Sequence, residues 1–171
     1  MQHHFILELS HVRLRPVGPL DLELIRNWRN QDHIRRFFLQ QEIIESSQQL
    51  LWFHEYLKKN DDLMFIIEET EELKRSVGTV ALYDIDLKAL EAEFGRFMLG
   101  DMQARGRGIG QNVLKQISEF GFTEFGLNRI NLEVLADNKK AIKLYEKCGF
   151  CTVSQSYRNG KSLIQMKLDK V

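Results

Sequence analysis

Arg105-Gly106-Arg107-Gly108-Ile109-Gly110 packs three glycines and two arginines into six residues. Glu93 to Leu99, just before it, reads as a strand. Behind it Ile109, Val113, Leu114, Ile117 and Phe120 recur at helical spacing. A glycine-rich turn from strand into helix aims several backbone N–H groups at one point, and the helix N-terminus adds about half a positive charge there. Glycine serves where φ is positive or where a ligand approaches closer than a Cβ allows. Arg105 and Arg107 add cationic donors. The chemistry of the stretch is to cradle a phosphate or pyrophosphate.

Two familiar cradles do not fit. A P-loop ends in Gly-Lys-Ser/Thr, whereas Gly110 is followed by Gln111-Asn112. The G-x-G-x-x-G dinucleotide fingerprint counted from Gly106 would need glycine at 111, and it normally opens a parallel sheet; this turn lies past the middle of the chain. Cys148 and Cys151 form a C-x-x-C pair, but a zinc site takes about four ligands and no second pair or nearby histidine is present. Cys148 continues the helical series Ala141, Leu144, Tyr145, so it is expected to be a small buried residue. The five histidines are scattered without ligand spacing, and no metal is expected.

The elements that must hold the cradle follow from periodicity and punctuation. Val12–Arg15 alternates as a first strand ended by Pro16. Pro19 and Asp21 introduce a helix with Leu22, Ile25 and Trp28 on one side. Ser46 with Gln49 offers a capping box for a second helix, with Leu50, Phe53 and Leu57 on one face and Trp52 and Tyr56 beside it. Leu63–Ile67 and Ser76–Tyr83 read as strands about a charged turn. Gly126-Leu127-Asn128 stops the cradle helix, and Arg129–Leu135 is a strand. Asn138–Lys147 is a helix with Gly149 at its end, and Phe150–Tyr157 pairs with Ser162–Leu168 around Asn159-Gly160. The order β-α-α-β-β-β-α-β-α-β-β predicts an α/β (α+β) chain with one mixed, mostly antiparallel sheet of about seven strands and four helices on both faces.

The pattern Arg-x-x-Gly-x-Gly at Arg105, Gly108 and Gly110 resembles the pyrophosphate loop of the GNAT superfamily of acetyl-CoA-dependent N-acetyltransferases. Asn138-x-x-Ala141-x-x-Leu144-Tyr145-Glu146-Lys147-x-Gly149-Phe150 resembles that superfamily's second signature, at the expected distance. Together with their strands they cover residues 91–151. The resemblance implies the GNAT fold over residues 1–171: acceptor-shaping helices in 1–60, the acetyl-CoA core in 91–151 and a C-terminal hairpin in 152–171. It implies acetyl-CoA as co-substrate, with pantetheine along Phe97, Met98 and Leu99 and pyrophosphate on Arg105, Gly106, Arg107, Gly108, Ile109 and Gly110. Gln111 lies close by, and Asn138 reaches the pantetheine arm. Tyr145 would protonate the leaving thiolate, since a phenol has a pKa near about 10 against about 8.5 for a thiol; its other reading is an amphipathic helix residue. For the base the resemblance leaves Glu133, Glu93 or a chain of waters open.

The N-terminal third shapes the acceptor site. Trp28, Arg29 and Asn30, then Ile34 and Phe38, then Trp52 resemble a segment of the bacterial acetyltransferases of pseudaminic acid biosynthesis and, more loosely, the ribosomal-protein N-terminal acetyltransferases. That resemblance implies a UDP-linked 4-amino sugar as acceptor, with a protein N-terminus, a polyamine or another small amine as alternatives. A non-catalytic acyl-CoA-binding module is the reading of another class. With 24 basic and 24 acidic residues the chain has no charge imbalance for nucleic acid. No apolar run reaches the ~18 residues of a membrane span. Met1-Gln2-His3-His4 lacks a signal peptide's charged and apolar regions. The expectation is a cytoplasmic enzyme with a small-molecule amine acceptor; the family resemblance allows a homodimer.

Overall fold

The computed structural model describes residues 3–171. Its eight strands are β1 (Leu7–Leu9), β2 (Val12–Pro16), β3 (Leu63–Glu69), β4 (Arg75–Asp86), β5 (Glu91–Leu99), β6 (Arg129–Leu135), β7 (Cys151–Arg158) and β8 (Lys161–Asp169). They form one sheet in the order β1-β2-β3-β4-β5-β6-β8-β7. Its five helices are α1 (Leu22–Arg29), α2 (Asp32–Arg35), α3 (Ser46–Tyr56), α4 (Ile109–Glu124) and α5 (Lys139–Lys147). β5 and β6 are parallel neighbours, and every other pairing is antiparallel. The mixed sheet is as expected; β1 and the one-turn α2 account for the higher counts. Both are too short to carry a periodic signal.

Two apolar layers sit on the two faces of the sheet. Ile109, Val113, Leu114 and Ile117 of α4, with Ile142 and Tyr145 of α5, pack with Phe65, Phe94 and Ile130. Leu22, Ile25 and Trp28 of α1, with Phe53 and Tyr56 of α3, pack with Met64, Ile66, Ala81 and Met98 on the other face. Alternation along β3 supplies both layers, so nearly the whole strand is buried.

The α3 start differs from expectation. Its capping box joins Glu45 and Gln48, with the Glu45 N–H donating to the Gln48 side chain at 2.8 Å. Ser46 instead donates to Glu23 at 2.9 Å, and Gln49 is buried. The helix is therefore rotated so that Leu50 is 48% exposed rather than in the core. Cys148 is half-buried and Cys151 exposed, both as free thiols.

The feature that builds a cleft is the parting of β5 from β6. They pair only at Glu91–Arg129, Ala92–Ile130 and Glu93–Asn131. β6 stays with β8 through Leu135, while β5 stays with β4. The β5 ladder itself is interrupted: Gly95 faces Ala81 and Met98 faces Thr79, so Arg96 and Phe97 bulge with Arg96 at φ 47°. A bulge of this kind turns the strand and re-aims its side chains. Phe94 and Phe97 thus face the α4–α5 layer, whereas Met98 faces α1 and α3.

Candidate active site

A glycine turn leads into the α4 N-terminus. Gly106 and Gly108 have φ 76° and 75°, a region that side chains with a Cβ rarely adopt, and Gly108 is the N-cap of α4. A Cβ on either would meet nothing within 4 Å, so the space before the helix is open. Ile109 turns its side chain fully into the core, so only its backbone is available to a ligand. Gly110 has another role: a Cβ there would lie 3.3 Å from both Phe97 and Leu144, so its absence seats α4 against β5 and α5. Arg107 is ion-paired with Glu72 and donates to the Gln103 carbonyl at 2.7 Å. Arg105 donates to the Leu99 carbonyl at 3.3 Å and has no carboxylate partner among the described residues. Gln111 is half-buried in the first turn of α4.

Beyond Glu93 the β6-facing side of β5, residues 94–99, has no strand partner. An extended ligand arm can add to such an edge through main-chain hydrogen bonds, and Phe97, Met98 and Leu99 lie on it. Asn138 caps α5, its Oδ1 accepting from the Ala141 N–H at 3.3 Å. Tyr145 lies one face across, its ring edge-on to Phe94 at 5.9 Å and tilted against Phe150 at 6.0 Å. Its hydroxyl bonds to no described residue, and burial raises its pKa, so it stays protonated at neutral pH.

The two candidate bases are in unlike settings. Glu133, on β6, is ion-paired with Arg158 of β7. Glu93 is the last β5 residue paired to β6 and has no cation or hydrogen-bond partner among the described residues. Burial first, then the charges of Asp84, Glu133 and Glu91, push its carboxyl up to about 6. A base near neutrality at the mouth of a cleft is what proton transfer requires.

On the α1–α3 face a cavity of about 570 Å³ opens, lined by Arg29, Phe38, Trp52, Met64, Arg96 and Met98 among others. Arg29 lies over the Phe38 ring at 3.5 Å and donates to the Gln40 carbonyl at 3.0 Å; burial and then nearby Arg35 lower its pKa to about 10. Trp52 stacks on Tyr56 at 5.6 Å. Trp28 and Asn30 do not line the cavity. Trp28 is buried over Gly100, where a Cβ would be 2.0 Å from the indole, and Asn30 bonds both ways to the Ile44 backbone at 2.9 Å. These two build the wall behind the cavity.

The structure adds Arg96 to the cavity wall. Its guanidinium takes both oxygens of buried Asp62 at 2.5 and 2.8 Å and lies 4.6 Å from the Tyr83 ring centroid. Its carbonyl accepts from Thr79 Oγ1 at 2.7 Å. An isolated glycine in a strand, Gly95, is a bulge signal, and it was the clue available. Among the described residues, no group of His, Cys, Asp and Glu is placed to hold a metal.

The profile of the acetyltransferase (GNAT) domain matches residues 11–151. The chain belongs to the GNAT acetyltransferase family. Spermidine N(1)-acetyltransferase of Vibrio cholerae is 27% identical over 158 residues, covering 89% of this chain and 88% of that protein. Acetyltransferase PseH of Campylobacter jejuni is 25% identical over 130 residues, 76% of each. The expected nearness to the pseudaminic acid enzyme is therefore corrected: the spermidine enzyme aligns over more of the chain and at higher identity. A solved V. cholerae spermidine N-acetyltransferase, in complex with CoA and spermine, has the same fold, with TM-score 0.83 at 24% identity over 94% of this chain and 96% of that one. This GNAT protein is an acetyl-CoA-dependent N-acetyltransferase. No helix among its described residues is long and apolar enough to cross a membrane.

Proposed function

We propose that the enzyme acetylates the primary amine of a small acceptor that enters from the α1–α3 face, with Glu93 as proton acceptor and Tyr145 as proton donor. The observation that carries this is Glu93: an unpaired carboxyl raised to about 6, where β5 and β6 part. The acceptor nitrogen attacks the thioester carbonyl carbon, giving a tetrahedral oxyanion. The attached nitrogen is then cationic and acidic enough for a carboxylate of this basicity to take its proton. The C–S bond breaks, the thiolate takes the Tyr145 hydroxyl proton, and the proton held by Glu93 returns to the phenolate through solvent, so that the net transfer is from nitrogen to sulfur. Glu133, tied to Arg158, contributes by raising Glu93. Arg105 and the N–H groups before α4 would hold pyrophosphate, and the open β5 edge the pantetheine arm.

The relatives support an aliphatic polyamine as acceptor better than the UDP-linked 4-amino sugar. Spermidine N(1)-acetyltransferases of V. cholerae and Escherichia coli are among them. Glu93 and Asp84, with no arginine partner among the described residues, favour an incoming cation, whereas Glu91 and Glu133 are already paired with Arg129 and Arg158. One observation favours the sugar: Arg29, with no carboxylate partner, lines the cavity and suits an anionic group.

The test is thiol release from acetyl-CoA against spermidine, UDP-4-amino sugars and Ala- or Ser-initiated peptides. Turnover of spermidine alone would establish the polyamine reading, and turnover of the sugar alone would replace it. CoA binding without turnover of any amine would leave only an acyl-CoA-binding module.

A further inference from the structure

Nine of the twelve arginines are in ion pairs: Arg13, Arg15, Arg26, Arg35, Arg75, Arg96, Arg107, Arg129 and Arg158. Among the described residues three have no carboxylate partner: Arg105, Arg29 and Arg36. Arg105 lies in the pyrophosphate loop and Arg29 in the acceptor cavity. Arg36 lines a second cavity of about 490 Å³, with Lys139, Lys161, Asp137, Gln41 and Ser162.

Three elements bring the charges of this second cavity together. Arg36 follows α2, Lys139 is the first residue of α5, and Lys161 opens β8. None of the three is in an ion pair among the described residues. Lys161 Nζ donates to the Phe38 carbonyl at 3.1 Å, which ties the β7–β8 turn to the loop between α2 and α3. Lys139 stands where the helix dipole is already positive, an unfavourable placement for a cation. Lys140 follows it, and neither is relieved by an acid in the first turn. Asp137 is the one carboxylate against three cations and a helix N-terminus. Fold stability alone does not account for a cation at that position, whereas an anion with several oxygens would offset all four charges together.

We propose that this cavity is a phosphoryl-binding site separate from the acetyl-CoA loop. None of its lining residues belongs to Arg105–Gly110: it stands at the N-terminus of α5 beyond β6, and the loop stands at that of α4 beyond β5. The phosphoryl group is carried by an acceptor or effector, not by CoA.

Calorimetric titration of inorganic pyrophosphate into the full chain, free and saturated with CoA, tests this. Saturable binding is expected to persist with CoA bound and to weaken at least tenfold in a Lys139→Gln/Lys161→Gln variant. If CoA blocks pyrophosphate while the double variant weakens CoA itself tenfold, the phosphoryl group is CoA's own and the separate site is overturned. If the double variant changes neither affinity, or if pyrophosphate does not saturate and CoA affinity is unchanged, the proposal is overturned. Lys139→Gln removes a cation from a helix N-terminus, so folding should be unharmed. Arg36→Gln, on a different element, is an independent second variant expected to lose at least threefold. The readout is binding, so its failure is distinct from a failure of the Glu93 chemistry.

Discussion

Glu93 and Tyr145 have the same physics acting on opposite needs. Burial raises both pKa values: the carboxyl becomes a better base, while the phenol stays protonated at neutral pH but becomes a weaker acid, which gives up its proton only as the thiolate forms. A base works when deprotonated, so kcat/KM should rise with pH through about 6. Glu93→Gln is expected to lower turnover by about 10²–10⁴-fold and to remove that limb from the profile. The same substitution should stabilise the fold. A carboxyl whose folded pKa is raised favours the folded state below the unfolded value, and that contribution is lost as pH rises through about 6. At pH 8 the gain should be on the order of 1 kcal/mol, discounted because the group is only half-buried; urea unfolding measures it. A variant that is both less stable and fully active would remove Glu93 from the chemistry. Tyr145→Phe, which keeps the ring among Phe94 and Phe150, should cost at least about 10²-fold in kcat with CoA affinity retained.

At the level of elements, the site depends on a bulge held by two partners. Asp62 grips the Arg96 side chain while Thr79 takes its carbonyl, so the residue at positive φ is fixed from both ends. Asp62 is buried, and Arg96 retains some exposure. Asp62→Asn should therefore cost less than the ~3–5 kcal/mol of a fully buried broken pair. Roughly 2 kcal/mol is expected, read as a lower urea midpoint. Because Arg96 lines the 570 Å³ cavity, KM for the acceptor should rise more than KM for acetyl-CoA; equal changes would mean the cavity does not hold the acceptor.

Across the whole molecule, the two apolar layers share one sheet, and the turn between β3 and β4 makes part of its stability depend on acid. Burial alone would raise the Glu69 carboxyl, but the N–H groups of Glu71, Glu72, Leu73 and Lys74 donate to it and hold it down at about 2. A depressed carboxyl stabilises the fold above its unfolded value, and this is lost as pH falls toward 2. The urea midpoint of the native chain should drop between about pH 4.5 and 2, and Glu69→Gln should flatten that drop. A variant with the same acid dependence as the native chain would assign the loss elsewhere.

The glycines of the cradle, the α5 signature and the hairpin at Asn159-Gly160 were legible because each rests on local backbone geometry: a positive φ, a cap, a tight turn. The family followed from two such signals at the right distance. What could not be read were facts joining residues far apart in the chain. Burial of Trp28 over Gly100, the Asp62–Arg96 pair and the Arg158 partner of Glu133 arise from contacts of 72, 34 and 25 residues' separation. The choice between Glu93 and Glu133 is of this kind. Alternation gives both carboxylates a face, but their pKa values depend on which charges the sheet brings beside them. Tertiary structure alone decided that Glu133 meets an arginine and Glu93 meets three carboxylates, because electrostatic environment is set by neighbours in space and desolvation by the packing of the whole.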